Sequence, residues 1–388
     1  MESVSIIGVG MTRFGILDDT FVQLAENAAI EAMTDSNTND SKFDYVFIGA
    51  HNPEEFTGRS HVSTLIADRL GVVPAGASRI ESGPSSGSSA FETGFAYVAA
   101  GLADLVMVIG VEKMSNVDRN RAVRIINKML SQESEVRYGA TPAALAAMMT
   151  RRYMHDYRLT RDELSLIPIK AHRNGAKNPL AHFQKEITIE DVNASKVVSE
   201  PLTLFDCCPT SDGAAAVILA SHRMVKEISL KDHAIRVMGI GHATDYLALQ
   251  HRTSLTSMNA TEVAARLAFK MAKKKPSDVE VYEVHDAFSI LELINMEDLG
   301  IVERGMAISL VKEGITEASG DMPINPSGGL KARGHPTGAT GIAQVRDIVL
   351  QLRGVAPKGI QVDYPEIGLT HNIGGFGNNI VVSLFSNL

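Results

Sequence analysis

The sequence predicts an α/β fold made of two similar halves related by a pseudo-twofold axis, with a helical segment inserted into the first half. Two observations predict this fold. Short β-branched runs alternate with longer amphipathic runs along the chain, as in α/β proteins with buried sheets. Three sequence blocks of the first half also recur, in the same order, in the second half. We place the halves at residues 1–229 and 230–388, and the inserted segment at about 116–197.

The first and last repeated blocks are typical of strands. Residues 4–10 (VSIIGVG) recur as residues 235–241 (IRVMGIG), and each is a β-branched run that ends in Gly-x-Gly. Residues 213–221 (GAAAVILAS) correspond to residues 377–385 (GNNIVVSLF), which are also mainly apolar. Runs of this length and composition predict buried strands. Each half is therefore expected to open and to close with a strand of its sheet.

The middle block predicts a pair of helix starts. Residues 83–90 (GPSSGSSA) align with residues 334–341 (GHPTGATG), and an amphipathic run follows each block. This alignment pairs Pro84 with His335. Proline is favoured in the first turn of a helix, where a backbone N–H would have no partner in any case. Pro84 therefore suits a stable helix start.

A helix start is also a place where chemistry is favoured. Its unpaired N–H groups and partial positive charge stabilise a thiolate or a developing oxyanion. If the two helix starts meet near the pseudo-twofold axis, they form a reaction centre. A lone histidine is more often structural, but His335 stands in a glycine-rich segment, residues 327–341, and is a candidate functional residue for that reason.

The inserted segment is rich in helix formers and in charge, so we expect it to cap a substrate. Its arginines form a local cluster that has two interpretations. They are either a solvated helical face or a binding site for the phosphates of a nucleotide-bearing substrate. The cluster comprises Arg119, Arg121, Arg124, Arg151 and Arg152.

Composition and charge exclude several classes of protein. The 388 residues, 45% of them hydrophobic, can bury a large core, and a net charge of −8 argues against nonspecific binding of nucleic acid. Glu2 stands where a signal peptide would be basic, and Gly101 and Asp104 interrupt the longest apolar run, so we expect a cytoplasmic protein. The adjacent Cys207 and Cys208 cannot form an ordinary structural disulfide with each other and are too few for a zinc site. We interpret both as packing residues.

Four blocks carry a family resemblance that covers essentially the whole chain. These blocks are LFDCCPTSDGAAA at 204–216, HDAF at 285–288, NPSGGLKARGHPTGATG at 325–341 and HNIGG at 371–375. Together they resemble the signature blocks of thiolases. The HDAF and HN-x-G forms resemble the sterol-carrier-protein type and the archaeal acetyl-CoA acetyltransferases.

The resemblance implies a two-stage reaction on coenzyme A thioesters. In thiolases a cysteine in the motif Cys-x-Ser-Gly takes an acyl group, and the enolate of a second acyl-CoA attacks it to give a 3-ketoacyl-CoA. The reverse reaction uses coenzyme A as the attacking thiol. His335 matches the histidine that activates this cysteine and helps to hold the thioester oxygen of the enolate. His285 matches a position that supports the same oxygen, and Asn372 with Gly374 matches the loop that closes the site.

The resemblance also implies the ligand and the assembly. We expect coenzyme A to contact Ser327 and Gly328 together with Arg119 and Arg121, and we expect a homodimer or a homotetramer. Coenzyme A enters as part of the substrate, so no separate cofactor and no metal are expected.

The sequence departs from the family pattern at the nucleophile. The motif Cys-x-Ser-Gly is matched by Pro84-Ser85-Ser86-Gly87, so one substitution removes both the thiol and the backbone N–H that helps to bind the oxyanion. The second catalytic cysteine of the family is also missing, because its two usual positions hold Asn372 and Ala287. His285 or His371 would then have to carry the proton. Ser85 is a weak substitute nucleophile, because the next residue of a helix points about 100° away from Pro84.

Two functions follow from these residues. The chain is either an acyltransferase that acts on acetyl-CoA or acetoacetyl-CoA with unconventional chemistry, or a non-catalytic subunit that binds acyl-CoA or acts as a scaffold. In the second case we expect it to partner an active thiolase, a hydroxymethylglutaryl-CoA synthase, or the small OB-fold proteins that bridge archaeal thiolases to such synthases.

Overall fold

A computed structural model describes residues 2–228, residue 230 and residues 233–388. The predicted boundary between the halves falls at residue 229, which lies outside the described residues. The strands are β1 (Val4–Met11), β2 (Tyr45–Gly49), β3 (Gly76–Ile80), β4 (Leu105–Lys113), β5 (Val197–Ser199), β6 (Leu202–Thr203), β7 (Asp212–Ser221), β8 (Ile235–Thr244), β9 (Val281–Val284), β10 (Ile367–Gly374) and β11 (Asn379–Asn387).

The helices of the first half and of the inserted segment are α1 (Phe21–Asp35), α2 (Pro53–Thr57), α3 (Val62–Arg69), α4 (Ser86–Ala99), α5 (Arg119–Ile126), α6 (Pro142–Tyr157), α7 (Arg161–Gly175), α8 (Ile189–Ala194) and α9 (His222–Glu227). Those of the second half are α10 (Asn259–Ala272), α11 (Ser289–Asp298), α12 (Ala307–Lys312), α13 (Gly329–Ala332) and α14 (Thr340–Arg353).

The sheet confirms the predicted duplication. Within the described residues, nine strands pair in the order β3-β2-β4-β7-β1-β8-β11-β10-β9. In each half the closing strand, β7 or β11, runs antiparallel to both of its neighbours, and the outer strands (β3, β2 and β4, or β9 and β10) pair in parallel. A parallel bridge from Tyr282 to Ile324 occupies the place beyond β9 that β3 holds beyond β2. The halves join where β1 meets β8, through the pairs Ser5–Arg236 and Ile6–Ile235.

The repeated Gly-x-Gly pattern has a packing reason. A Cβ atom on Gly8 or Gly10 of β1 would overlap the backbone of α1. A Cβ atom on Gly239 or Gly241 of β8 would overlap the backbone of α10 in the same way. In both halves the glycines therefore let a helix lie directly against the first strand, which a side chain on that face would prevent.

The two helices that follow the middle block pack against each other at their N-termini. A Cβ atom on Gly87 of α4 would lie 2.6 Å from the carbonyl oxygen of Gly338. A Cβ atom on Gly341 of α14 would lie 2.6 Å from the backbone nitrogen of Ser88. The helix starts of the two halves thus meet, as the repeated block predicts.

Neither Pro84 nor His335 lies inside a helix, which corrects the expectation that each opens one. Helix α4 begins at Ser86, with Ser85 as its N-cap, so Pro84 precedes the cap. His335 lies in the segment between α13 and α14. Within a helix the N–H of Gly338 would donate to a backbone carbonyl. Here it donates to the carboxylate of Glu112, and α14 starts only at Thr340.

The inserted segment is helical, as predicted, but only part of it covers the region near His335. Helix α7 packs against α11, α12 and α13 and therefore belongs to the scaffold of the second half. The segment around α5 and the start of α6 lies over the cavity described below. In the described part of the chain, no helix is long and apolar enough to cross a membrane.

The close contact between α4 and α14 predicts that the fold is sensitive to substitution of Gly87. Alanine normally stabilises a helix by about 1 kcal/mol relative to glycine. At Gly87 the added methyl would press on the packed backbone of Gly338, and overpacking of this kind costs about 1–3 kcal/mol or more. We therefore expect Gly87→Ala to lower the free energy of unfolding in urea. Gly15→Ala is the matched control, because the nearest atom would lie 3.7 Å from its Cβ. Equal stability of the two variants would contradict the close approach of these helices.

Candidate active site

A cavity of about 520 Å³ lies where the two halves and the inserted segment meet. Its wall brings together three residues that are far apart in the sequence and that the sequence analysis singled out: Pro84, His285 and His335. Residues from α5, from the start of α6, from the loop before β7 and from the second half also line it. The structure therefore places Pro84, which the resemblance aligns with the nucleophilic cysteine, in one cavity with both candidate histidines.

The hydrogen bonds of His285 fix which of its nitrogens carries the proton. The side-chain amide of Asn372 lies 3.0 Å from Nδ1 of His285, and the backbone N–H of Ile373 donates to the same nitrogen over 3.2 Å. A backbone N–H can only donate, so Nδ1 is the acceptor and Nε2 carries the hydrogen. Because Nδ1 is used inside the protein, His285 is left with its Nε2–H as a donor for a ligand.

His335 is held in the complementary form. Its Nδ1 lies 2.7 Å from the hydroxyl of Thr340, and that hydroxyl donates to the carbonyl of Pro336 over 2.9 Å. The hydroxyl has one hydrogen, so it must accept from the Nδ1–H of His335. Nε2 of His335 is then left with a free lone pair. The backbone of His335 is also fixed, since its N–H donates to Ser211.

The two imidazole rings meet edge to face, with their centroids 5.0 Å apart. Burial lowers the pKa of His335 to about 3 and holds the pKa of His285 well below its usual value, so both rings are neutral near pH 7. The site thus offers one N–H donor and one basic nitrogen side by side. A donor and a base at this spacing suit a reaction in which a carbonyl oxygen gains charge while a neighbouring proton is removed.

Pro84 contributes neither a nucleophile nor a hydrogen-bond donor to this cavity. The adjacent Ser85 does not replace it. Its hydroxyl lies 2.8 Å from the carbonyl of Ser82 and 3.2 Å from the side-chain oxygen of Asn379, and it does not line the cavity. Its environment therefore does not favour the role of substitute nucleophile that the sequence left open.

Asn372 and Gly374 lie behind the wall. Asn372 is fully buried, bonds to His285 and accepts a hydrogen bond from Ser88 over 3.0 Å, so it orients the histidine and does not line the cavity. Gly374 packs against the segment that carries Pro84, since a Cβ atom there would overlap Ser82 and Ser85. Gly375, one residue further along, does line the cavity.

The expected coenzyme A contacts divide into two groups. Ser327 is buried and bonds to the carboxylate of Glu283, and Gly328 packs against Gly175 of α7, so neither lines the cavity. A direct contact with a ligand in this cavity is therefore not supported for these two residues. Arg119 is exposed at the start of α5 and does line the cavity, whereas Arg121 does not.

The two cysteines also line the cavity, which the interpretation as plain packing residues missed. Burial raises the pKa of both thiols, Cys207 and Cys208, to about 12, so each remains protonated and poorly nucleophilic. His371, which the sequence offered as a proton carrier, is fully buried and bonds to Thr261 over 3.1 Å. His371 does not line the cavity, so of the two candidates for this role only His285 lies at its wall.

Three further residues that position the site were not found from the sequence. Thr340 bonds to His335, and Ser88 bonds to Asn372. Both residues lie in the repeated middle block, and this location is the sequence signal that could have identified them. Glu112 at the end of β4 accepts hydrogen bonds from His51, Asn52, Thr337 and Gly338. This carboxylate therefore links the first half to the loop after His335 by hydrogen bonds. Burial raises the pKa of Glu112 to about 7.

Comparison with protein families finds two matching domains in the chain. Residues 4–223 match the N-terminal domain of thiolases, and residues 241–387 match a domain described as thiolase C-terminal domain-like.

Individual proteins give the same result. The chain is 43% identical to the acetyl-CoA acetyltransferase of Methanothermobacter thermautotrophicus over the whole of both chains. It is 35% identical to sterol carrier protein 2 of Bos taurus, over 98% of this chain and 72% of that protein. A solved structure described as an Ltp2-ChsH2(DUF35) aldolase superposes with a TM-score of 0.85 and 25% identity, covering 100% of this chain and 98% of the other.

Proposed function

The chain belongs to the thiolase family, and we propose that it acts on acyl-coenzyme A thioesters as an acyltransferase of the acetyl-CoA C-acetyltransferase type, forming or cleaving acetoacetyl-CoA. The observation that carries the proposal is the pair of neutral histidines, one donor and one base, in a cavity of ligand size. Because Pro84 stands at the nucleophile position, no acyl-enzyme forms, and turnover is far below that of an enzyme with the cysteine. A homodimer or homotetramer in the cytoplasm is part of the proposal.

The hydrogen-bond pattern supports the following steps. The Nε2–H of His285 donates to the thioester oxygen, and Nε2 of His335 takes a proton from the carbon next to the thioester carbonyl. The resulting enolate attacks the carbonyl of a second acyl thioester directly, and coenzyme A leaves as a thiolate that recovers the proton from His335. Removal of a catalytic nucleophile costs on the order of a millionfold in turnover, so enolate formation is the step that this site retains best.

Proton exchange tests this assignment without requiring acyl transfer. Acetyl-CoA incubated with the protein in D₂O should gain deuterium in its methyl group, measured by NMR. We expect His335→Ala to slow the exchange by about 10²–10⁴-fold, as for loss of a general base. Loss of the donor in His285→Ala should slow it by about 10²–10³-fold.

The matched control is His155→Ala, because His155 lies exposed on α6. Exchange at the same rate in the two active-site variants and in the control would contradict the assigned roles. Binding of acetyl-CoA with no exchange in the unmodified protein would contradict catalysis altogether.

A related reaction that needs no acyl-enzyme is a second candidate. One similar solved structure is described as an aldolase, and cleavage of a 3-hydroxyacyl thioester passes through the same enolate. Here His335 would take the hydroxyl proton, and the bond between the second and third carbons would break to give a carbonyl compound and an enolate. His285 would hold the enolate oxygen, and His335 would return its proton to the enolate carbon to give acetyl-CoA. Release of acetyl-CoA and a carbonyl compound from a 3-hydroxyacyl-CoA supports this candidate, and absence of both products excludes it.

The remaining candidate is a non-catalytic subunit that binds acyl-CoA or acts as a scaffold, and Pro84 is the observation that favours it. Its partners would be an active thiolase, a hydroxymethylglutaryl-CoA synthase or an OB-fold bridging protein. The aldolase to which the chain is similar is named as Ltp2 together with ChsH2(DUF35), which supports an assembly with a second protein. Calorimetry with coenzyme A separates a subunit that binds acyl-CoA from a pure scaffold, because a pure scaffold binds no coenzyme A.

A further inference from the structure

The carboxylate of Glu112, near the end of β4, is fully buried and joins two parts of the chain. Its oxygens accept hydrogen bonds from the backbone N–H groups of His51 and Asn52 in the first half, over 2.8 and 3.3 Å. They also accept from the hydroxyl of Thr337 and from the N–H of Gly338, over 3.0 and 3.1 Å. The carboxylate therefore bridges the loop after β2 and the loop before α14.

The loop before α14 fixes the catalytic base of the proposed reaction. Thr337 and Gly338 lie between His335 and Thr340, whose hydroxyl holds the imidazole ring. Thr337 also lines the cavity together with His335. Gly338 lies directly against the first half, because a Cβ atom on it would lie 2.4 Å from the carbonyl oxygen of Val111. The position of the imidazole therefore depends on how this loop is held against β4.

The ionised form of Glu112 holds the loop better than the protonated form. Three of its four partners are backbone N–H groups, which can only donate. Protonation adds a further hydrogen to the carboxyl group, and of the four partners only the hydroxyl of Thr337 can accept it. Hydrogen bonds to a charged acceptor are also stronger than those to a neutral one. Protonation therefore weakens the link between the two loops.

We propose that Glu112 is a positioning residue for the reaction. Its ionised carboxylate holds the loop so that Nε2 of His335 reaches the carbon next to the thioester carbonyl, and protonation of Glu112 releases that loop. Glu112 does not line the cavity, so it acts through the loop and not on the substrate. The inference rests on the proposed function, because it assumes that His335 removes this proton.

The ionisation of Glu112 falls in a pH range where the two cavity histidines do not change charge. Burial raises the pKa of Glu112 to about 7, so its carboxylate is ionised above this pH and protonated below it. Burial holds the pKa values of His285 and His335 far lower, so both rings stay neutral. Proton removal should therefore become faster as the pH rises through about 7, although the base itself does not titrate there.

The elements packed around Glu112 carry other charged groups. Burial, with a smaller contribution from Arg79, lowers the pKa of His51 to about 4, so His51 is neutral in the same range. The first turns of α4 and α14, residues 86–89 and 340–343, are uncharged. The remaining groups are the ion pairs Arg79–Glu54 and Lys113–Asp212, and Glu81, which lies 4.0 Å from His51.

The test is the pH profile of deuterium exchange into acetyl-CoA, measured by NMR at saturating and at low acetyl-CoA between about pH 5.5 and pH 8.5. In the unmodified protein the saturated rate should rise by up to about tenfold from pH 6 to pH 8. Glu112→Gln is uncharged at every pH. It should lower the saturated rate by about 10–100-fold, change KM little and give a flat profile, as for a misplaced base.

Glu297→Gln is the matched control for this variant. Glu297 is also a buried carboxylate with a raised pKa, and it accepts hydrogen bonds from the N–H groups of Gly305 and Ala307. It does not bond to the loop before α14, so this variant should keep the rise of the rate with pH. The phosphates of acetyl-CoA titrate alike with every variant, so the difference between the profiles is the readout.

A second pair of variants keeps the carboxylate and tests the inference even if Glu112→Gln does not fold. Thr337→Val removes one donor to the charged form and should move the midpoint of the profile up by about one pH unit or more. Thr337→Ser keeps the hydroxyl and should keep the midpoint.

Three results would overturn the inference and leave the proposed function intact. They are a flat profile in the unmodified protein, a rise with pH that persists in Glu112→Gln, and an unchanged midpoint in Thr337→Val. Absence of exchange in the unmodified protein at every pH would instead overturn the proposed function, and this inference with it.

Discussion

Replacing Pro84 by cysteine should turn this protein into an efficient thiolase. The substitution restores a thiol and a backbone N–H at the cavity wall, where the free Nε2 of His335 can take the thiol proton. Loss of a covalent nucleophile typically costs about a millionfold, so restoring it should raise thiolysis of acetoacetyl-CoA by several orders of magnitude. A peptide containing residue 84 should also gain an acetyl group after incubation with acetyl-CoA, measured by mass spectrometry.

The neighbouring residue offers a sharp control for this experiment. Ser85→Cys places a thiol one residue away, on a side chain that contacts Ser82 and Asn379 and not the cavity. It should gain neither acetylation nor thiolysis. A second control, Pro84→Ser, restores the N–H and supplies a weaker nucleophile. If Pro84→Cys gave no more activity than Ser85→Cys, the rest of the site would have lost the geometry that a thiolase needs.

Acid should destabilise the fold through buried neutral histidines, and His371 allows this to be measured by itself. Burial lowers its pKa from 6.5 to about 3. The unfolded chain therefore binds a proton below pH 6.5 that the folded chain refuses until about pH 3. Stability from this residue is fully present above pH 6.5 and is lost as the pH falls, by at most about 1.4 kcal/mol per unit.

The measurement compares His371→Gln with the unmodified protein in urea at several pH values. Relative to the unmodified protein, the variant should gain about 2 kcal/mol between pH 7.5 and pH 5. The pH dependence of the free energy of unfolding of the unmodified protein alone does not isolate His371. Glu112 and Asp298, with their pKa values raised to about 7, stabilise the fold as the pH falls. His155→Gln on the surface should show no such gain. A constant difference between the variant and the unmodified protein would mean that His371 takes up a proton in the folded state.

Local sequence patterns were sufficient for the architecture. The Gly-x-Gly runs predicted β1 and β8, and the middle block predicted that α4 and α14 meet, because a repeat implies that the same packing is used twice. Within the inserted segment, α5 and the start of α6 line the cavity, whereas α7 packs against helices of the second half. Composition shows that a segment is helical and charged but not which surface it packs against.

Residue order and periodicity were enough to predict the fold and the family, and they place a proline, not a cysteine, at position 84. Contacts in the folded chain were needed to show which nitrogen of His285 and of His335 faces a ligand, and that Ser327 and Gly328 lie away from the cavity. The reason is that a proton's position and a cavity's wall depend on partners such as Ile373 and Thr340, whose contacts no local pattern encodes. The cavity wall also brings together Pro84, His285 and His335, which become neighbours only when the chain folds.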